Sequence, residues 1–193
     1  MAIYVQNGDW LHKEEGRSKW GNRLAWSKLK AHYESQLADS VKGRVAIRST
    51  SWRPHKSPGR ACIEFDGETV LDMCCFRQNN ELWRRYSPRL GDEVYSEELS
   101  REVRKEIADE GIFSRYDFGD VLHLYMSLGM DDILAHSFPL VRALGMLDKR
   151  LGKRRLRTLA EAEEPNPAVR KMLDVRLACE GMRLPRKTNA GES

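Results

Sequence analysis

The stretch SFPLVRALGMLDKRLGKRRL, residues 137–156, carries the clearest hydrophobic period of this 193-residue sequence. Its apolar residues recur at intervals of three and four, which places them on one face of an α-helix. Ser137 is a suitable N-cap, and Pro139 is tolerated in the first helical turn. The pattern therefore predicts one helix over residues 137–156 whose apolar face packs into the core. That face consists of Leu140, Val141, Leu144, Leu147 and Leu151.

The same stretch ends in a dense group of cations. Six Lys and Arg residues fall within residues 149–157, with no carboxylate among them. Cations near the carboxyl end of a helix are stabilised by about 0.3–1 kcal/mol each, so part of the group needs no ligand. The acidic helix predicted over residues 96–110 offers an internal partner for the rest. The alternative interpretation is a surface that attracts a polyanion.

Upstream, residues 61–73 read ACIEFDGETVLDM and predict a β-hairpin. Asp66 and Gly67 supply the positive φ angles that a two-residue type I′ turn requires. This turn pairs Phe65 with Glu68 and, two residues further along, Ile63 with Val70. Residues 45–50 alternate apolar and polar side chains and predict a third strand, while PHKSPGR at 54–60 predicts a basic loop.

Helical patterns account for most of the remaining chain. Apolar spacing predicts a helix starting near Leu24, and a short helix follows the hairpin over about residues 74–87. Ser96, Asp117 and Asn166 are suitable N-caps for three further helices. The predicted fold class is α+β, a small three-stranded antiparallel sheet packed with a group of α-helices.

The predicted organisation has four parts. Residues 1–24 show no sustained period and are interpreted as an irregular N-terminal extension, and residues 25–157 form the α+β core domain. A C-terminal helical addition occupies residues 158–184. A polar tail, predicted to be disordered, occupies residues 185–193.

Charge is distributed unevenly behind a net charge of +4. Residues 1–60 carry +7, residues 61–140 carry −9 and residues 141–193 carry +6. The basic ends either pack against the acidic middle or form separate surface patches. No apolar run approaches a membrane span and no secretory signal opens the sequence, so we expect a cytoplasmic protein without a membrane partner. Four cysteines without paired spacing predict free thiols rather than zinc ligands.

Two basic regions are candidate binding sites for a protein or a nucleic acid. Arginines can grip phosphates while interleaved aromatic rings stack on bases. We expect the strand and loop to contribute more than the helix end, because the strand's cations lie apart from matching carboxylates in the sequence. The candidates are Arg44, Arg48, Trp52, Arg53, Lys56 and Arg60 in the strand and loop, and Lys149, Arg150, Lys153 and Arg154 in the helix.

Motifs for enzymatic chemistry are missing from the sequence. It has no phosphate-binding GxxxxGK[ST], no GxGxxG before a helix, no GxSxG and no HExxH. Carboxylates around the hairpin, Glu64, Asp66, Glu68 and Asp72, keep a metal-dependent nuclease open as an alternative. Glu64 and Glu68 should face opposite sides of the ribbon, which argues against a shared ion. We therefore predict a non-enzymatic binding module without metal or cofactor, and keep an enzyme of unrecognised type as the alternative.

Four segments together resemble a family of conserved bacterial proteins of unknown function. These are WSKLK at 26–30, GRV at 43–45, the Asp-Gly hairpin and ALGMLDKRLGKRRL at 143–156. The resemblance covers about residues 25–157, so the segments before and after look like additions. It implies a bacterial, phage or plasmid origin and a cytoplasmic location, and it transfers no catalytic residue.

Overall fold

A three-stranded antiparallel sheet and eight helices form the part of the chain that the computed structural model describes, residues 24–52, 57–91 and 95–182. The α+β prediction is confirmed. The strands are β1 Val45–Trp52, β2 Ser57–Phe65 and β3 Glu68–Cys74. The helices are α1 Trp26–Gln36, α2 Cys75–Leu90, α3 Glu97–Asp109, α4 Arg115–Tyr125, α5 Met130–Ala135, α6 Pro139–Gly145, α7 Lys153–Glu161 and α8 Pro167–Cys179.

Several predictions fall on residues outside these ranges. The predicted irregular extension lies outside them except for Leu24, and the predicted disordered tail lies outside them entirely. Arg53 and Lys56 are likewise outside the described residues, and Trp52 is described only by its backbone.

The sheet has the order β1-β2-β3, and its hairpin turn follows the sequence prediction in part. Asp66 and Gly67 have φ angles of 50° and 85°, and Phe65 pairs with Glu68 as predicted. The next predicted pair is wrong, because Ile63 pairs with Leu71 instead of Val70. A β-bulge adds one residue to β3 at this point. The bulge turns Leu71 towards the core on the same side as Ile63, and both are buried.

The predicted basic loop at 54–60 is shorter than expected. Ser57, Pro58 and Gly59 begin β2, and Ser57 pairs with Trp52 across an irregularity in the ladder. A proline is tolerated at such a place, near the end of a strand where the ladder is already interrupted. Arg60 is consequently a strand residue that pairs with Thr50 and Cys74.

The predicted helix over residues 137–156 is in fact two helices, α6 and α7, joined by a turn over residues 146–152. Phe138, not Ser137, occupies the N-cap position of α6, while Pro139 is its first residue as expected. The burial prediction is confirmed, because all five apolar residues of the stripe are fully buried. Gly145 ends α6 against α5, where a Cβ would collide with the side chain of Ile133.

Asp148 holds this turn together from inside the core, and its side chain is fully buried. The Tyr125 hydroxyl donates a hydrogen bond to its carboxylate, and the backbone N–H of Arg150 donates another at 2.7 Å. The Arg150 guanidinium adds an ion pair at 2.7 Å. Burial alone raises the pKa of Asp148, but the hydrogen bonds from Arg150 and Tyr125 outweigh it and the net pKa is lowered. The buried carboxylate is therefore stabilised in its charged form.

The end of α1 and the residues after it bind the same part of the chain. The Tyr33 hydroxyl donates to the Leu144 carbonyl at 2.9 Å, across 111 residues of sequence. The backbone N–H of Ala38 donates to Leu147 at 2.9 Å, and that of Lys149 donates to Gln36 at 2.8 Å. These bonds fix the turn between α6 and α7 on α1.

Local capping chemistry explains where three other helices begin. The predicted caps Ser96 and Asn166 are confirmed, since each side chain accepts hydrogen bonds from the first turn of its helix. The prediction of Asp117 as a cap is wrong. Ser114 is the N-cap of α4, and Asp117 is the third residue of the helix, completing a capping box. The short helix predicted after the hairpin extends from Cys75 to Leu90.

Candidate interaction surfaces

The predicted basic strand does not present unpaired charge on its described residues. Three of its arginines, called here the sheet arginines, each form an ion pair with a carboxylate of the hairpin. The pairs are Arg44–Asp66 at 2.5 Å, Arg48–Glu64 at 2.7 Å and Arg60–Asp72 at 2.5 Å.

Strand register explains these ion pairs. Arg48 lies opposite Cys62 on β2, so Glu64 is its diagonal neighbour on the same face. The hydrogen bond to Glu64 raises the pKa of Arg48, and the hydrogen bond from Arg44 lowers the pKa of Asp66. These cations are separated from the carboxylates in the sequence, as the prediction assumed, but the fold brings each one to a carboxylate.

The same ion pairs occupy the carboxylates considered for a metal site. Glu64, Asp66 and Asp72 each bind a different arginine, so their oxygens do not converge on one point. Within the described ranges, no group of three or more His, Cys, Asp or Glu side chains is arranged to hold a metal ion.

The cations of residues 149–157 lie at the opposite end of a helix from the one predicted. Lys153, Arg154 and Arg155 form the first turn of α7, and this turn contains no acidic residue. Its N-cap, Gly152, provides no side-chain hydrogen bond. The prediction of a cationic helix carboxyl end is wrong because α6 stops at Gly145 and a new helix starts after Gly152.

The cations of this segment differ in what they bind. Lys149 donates to the Ser35 carbonyl at 2.8 Å, and Arg150 is committed to Asp148. Two others form ion pairs, and in the described part of the chain neither Arg154 nor Arg157 forms one. The two pairs are Lys153–Glu180 at 3.2 Å, in which the carboxylate is mostly buried, and Arg155–Asp131 at 2.9 Å, in which both side chains are exposed.

The acidic helix α3 is not the partner of these cations, contrary to prediction. It faces α2, whose Arg89 binds Glu106 in the last turn of α3. Arg85 of α2 binds Glu110, the residue that follows α3. The distances are 2.6 Å for Arg85–Glu110 and 2.7 Å for Arg89–Glu106. Arg85 and Arg89 thus neutralise two carboxylates of the acidic middle of the sequence, whose net charge of −9 already includes these arginines.

We call Lys153, Arg154 and Arg157 the basic helix start. Their spacing of three and four residues places Lys153 and Arg154 beside Arg157 on one side of α7. All three are exposed, while Leu156 between them is fully buried. The surface is cationic and has no exposed apolar side chain at its centre.

Helix α2 presents a surface of another kind, which sequence reasoning did not identify as a candidate site. Phe76 is 58 % exposed and Trp83 is 45 % exposed, although both are large and apolar. We call Phe76, Asn79, Asn80 and Trp83 the aromatic face of α2. The available signal was the seven-residue spacing of the two rings, which puts them on one side of a helix.

Two cavities lie elsewhere on the surface. The larger, of about 420 Å³, lies between α3 and residues 137–139, with Phe138 and Pro139 among its apolar walls. The smaller, of about 250 Å³, lies beside α4 and gathers polar groups, among them Asp120 and His123. In the smaller cavity Arg115 donates from Nε to the Ser49 hydroxyl at 2.9 Å, which orients the guanidinium.

A family model, described as the SF0329 protein family, matches residues 25–177. The match starts where the motif resemblance starts and extends into α8. No curated protein and no solved structure matches the chain. Among the described residues, every helix is too short or too polar to cross a membrane.

Proposed function

Since the chain belongs to the SF0329 protein family, whose description names no activity, we propose a function from the charges of the surface. The protein is a non-enzymatic module that binds the phosphates of a nucleic acid through the basic helix start. One observation carries this proposal: Lys153 and Arg154 open a helix whose first turn has no carboxylate, and Arg157 follows one turn later.

Local stability does not account for this placement. A cation in the first turn of a helix opposes the helix dipole, and each such contact costs about 0.3–1 kcal/mol when exposed. The N–H groups of this turn also receive no side-chain cap from Gly152. Both features favour an anion at this position, because a phosphate oxygen can accept from free N–H groups and from the cations together.

The side chains around the basic helix start favour phosphate over a protein surface. Protein interfaces have an apolar centre with few charges, whereas here Leu156 is buried and the exposed positions are charged. Lys153 is 66 % exposed in its pair with Glu180, whereas Glu180 is 10 % exposed and also binds Arg176 and Ser40. Glu180 therefore keeps two partners when the lysine contacts a phosphate.

The basic helix start is also held on a rigid base. Leu151 and Leu156 are fully buried on either side of Gly152, and Asp148 fixes the preceding turn. A preorganised group of cations loses less conformational entropy on binding than a mobile one does.

The test is a binding titration with fluorescently labelled random duplex and single-stranded oligonucleotides at several salt concentrations. For three duplex phosphate contacts, the slope of log K against log salt is expected to be about −0.9 per contact, or about −2.7 in total. Arg154→Gln combined with Arg157→Gln should remove about two-thirds of the slope.

The matched control is Arg44→Gln combined with Arg48→Gln, which also removes two arginines. We expect this control to bind nearly as the wild type does, because its arginines are already paired. The order of importance is thus the reverse of the one expected from sequence. The proposal fails if the control loses as much affinity as the helix variant. It also fails if the wild type shows no association up to about 100 µM, the weak limit of non-specific binding.

A second candidate function, an enzyme of unrecognised type, is favoured by the smaller cavity, where Asp120 and His123 lie near Arg115. The same oligonucleotides incubated with Mg²⁺ or Mn²⁺ test it by gel electrophoresis. Cleavage that is lost in His123→Ala would assign the activity to the cavity. Cleavage that is lost in Glu64→Gln combined with Asp72→Asn would assign it to the hairpin carboxylates.

A further inference from the structure

We propose that the aromatic face of α2 binds a single-stranded nucleic acid. Its bases stack on Phe76 and Trp83, and its phosphates contact Arg77 and Arg84 beside them. This surface is distinct from the basic helix start, and it adds base stacking to the phosphate contact proposed there. The two proposals share a class of partner but can fail separately.

Aromatic rings are exposed together in this part of the molecule. Three of the five large apolar side chains that are exposed in the described ranges are aromatic, namely Phe76, Trp83 and Tyr95. Phe76 and Trp83 share α2, and Tyr86 of the same helix contacts Trp83 and Tyr95 with ring centroids 5.7 and 6.2 Å apart. A group of exposed apolar side chains on one surface marks an interaction site.

The outer side of α2, which carries these rings, is positively charged. The helix has four arginines, of which Arg85 and Arg89 turn towards α3 and are neutralised by carboxylates there. The other two, Arg77 and Arg84, are exposed. In the described part of the chain Arg77 forms no ion pair. The α3 carboxylates therefore leave the charge on the outer side uncompensated.

Glu81 is the only carboxylate of α2, and it compensates this charge only in part. It accepts hydrogen bonds from Arg84 at 2.7 Å and from Arg85 at 3.2 Å. The Arg84 side chain is 66 % exposed, and such exposed ion pairs are weak. When Arg84 contacts a phosphate, Glu81 keeps its bond with Arg85. The outer side of α2 is thus complementary to a polyanion.

The rings and the cations form two parallel rows along α2. Seven helical residues advance about 10.5 Å and return to within about 20° of the same direction, while successive residues differ by about 100°. Phe76 and Trp83 therefore form one row, and Arg77 and Arg84 form a second row beside it. Asn80 lies between the rows, where its amide can donate to and accept from the edge of a base.

This combination of side chains favours single strands. Proteins bind single-stranded nucleic acids through aromatic rings on which the bases stack and through cations along the backbone. Inside a duplex the bases are stacked on one another, so their faces are closed to the rings. An apolar protein surface is a poorer match, because it would leave Arg77 without an anion beside the rings.

The ring of Trp83 is held in place before binding. It packs edge-on against Tyr86, which is buried. The backbone N–H of Ser96 donates to the Tyr86 hydroxyl at 2.7 Å and fixes that ring in turn. A preorganised ring loses little conformational entropy when a base stacks on it.

The test is a binding titration of the full chain with three labelled probes at one low salt concentration. The probes are a strand of thymidines, a strand of the same length that lacks every base, and a random duplex. The first two carry the same phosphates, so the difference between them reports base contacts alone. The wild type should bind the thymidine strand about 5–150-fold more tightly than the abasic strand, the effect of one stacked base.

Trp83→Leu and Phe76→Leu each keep an apolar side chain but remove the ring. Each variant should lose about fivefold or more in affinity for the thymidine strand and keep its affinity for the abasic strand and the duplex. Circular dichroism confirms that the variants are folded. A thymidine-to-abasic affinity ratio near one in the wild type, or a ratio that persists in both leucine variants, would overturn the inference. No association of the wild type with the thymidine strand up to about 100 µM would also overturn it.

Arg77→Gln tests the phosphate contact. Arg101→Gln is the matched control, because Arg101 is an exposed arginine of α3 that is paired with Glu97. For the thymidine strand, the slope of log K against log salt should become shallower by about 0.7 in Arg77→Gln and stay unchanged in the control. Equal slopes in the wild type and both variants would contradict the proposed contact between Arg77 and a phosphate.

The same probes separate this surface from the basic helix start. Arg154→Gln combined with Arg157→Gln should weaken the binding of all three probes alike and leave the thymidine-to-abasic ratio unchanged. Loss of single-strand binding in the leucine variants, with no effect of the helix variant, would support the aromatic face and refute the proposed function. Weaker binding in the helix variant, with no effect of the leucine variants, would refute the aromatic face alone.

Discussion

Each sheet arginine forms an ion pair with a hairpin carboxylate. In the basic helix start Lys153 is paired with Glu180, but in the described part of the chain Arg154 and Arg157 form no ion pair. Both regions are rich in arginine, and both are exposed. The difference shows that a cluster of cations becomes a candidate anion site through what the fold places beside it. In the sheet, strand register places a carboxylate beside each arginine. In α7, the cations fall in the first turn, where the helix dipole favours an anion.

The largest expected loss of stability comes from a change in the core beneath the basic helix start. Leu147→Ala removes a fully buried side chain and should lower the free energy of unfolding by about 2–5 kcal/mol. Denaturant unfolding measures it, with Leu24→Ala as an exposed control. A change below about 0.5 kcal/mol, typical of surface sites, would show that the stripe is not part of the core.

Asp148→Asn tests the turn that leads into α7. Losing the charged hydrogen bonds should destabilise the protein by about 2–3 kcal/mol at pH 7. Because the pKa of Asp148 is lowered in the folded state, its contribution is complete above the unfolded value of about 3.9. It is lost as the pH falls through the lower folded value.

Unfolding curves of the wild type and Asp148→Asn should therefore differ at neutral pH and converge in acid. A difference that stayed constant from pH 7 to pH 2 would mean that the asparagine acts through packing rather than through the charge.

Gly67→Val tests the register that pairs the sheet arginines. Gly67 has φ 85° and open space around its Cα, so the expected loss of about 1–3 kcal/mol comes from backbone strain alone. Gly67→Asn is the control, because asparagine tolerates positive φ far better. Thermal unfolding measures both, and equal losses in the two variants would exclude strain as the cause.

The smallest effect concerns a single sheet pair. A double-mutant cycle on Arg60 and Asp72 should give a coupling energy of about 0.2–1 kcal/mol, because Arg60 is largely exposed. The coupling should fall as salt is added. A value that is unchanged in 1 M salt would show that the pair is shielded from solvent.

The features that the sequence predicted correctly depend on the chemistry of a few neighbouring residues. Ser96 and the Asn166-Pro167 pair mark helix starts by their own hydrogen bonding and φ angles, and Asp66-Gly67 marks a turn in the same way. These features need no knowledge of the rest of the fold.

The remaining features depend on distant partners. The bulge opposite Ile63 and Glu64 keeps the two-residue turn and also directs Leu71 into the core. The local sequence pattern does not reveal that both conditions must be met. The sequence pattern predicts Asp148 as a polar residue on a continuous helix. In the structure Asp148 is buried, where it binds Tyr125 and Arg150, and the helix is interrupted. The ion pairs of the sheet arginines likewise depend on the register of the three strands. The sequence predicted this register correctly only for the pair beside the turn.

The hydrogen bond from Tyr33 to Leu144 also has a consequence for synthesis of the chain. Residue 144 leaves the ribosome 111 residues after residue 33. At about 5–20 residues per second, helix α1 waits roughly 6–22 s for the segment that binds its end. Throughout that interval Leu37, buried in the finished fold, lacks Asp148, with which it forms a β-bridge. The packing at the end of α1 is therefore completed only after most of the chain has been synthesised.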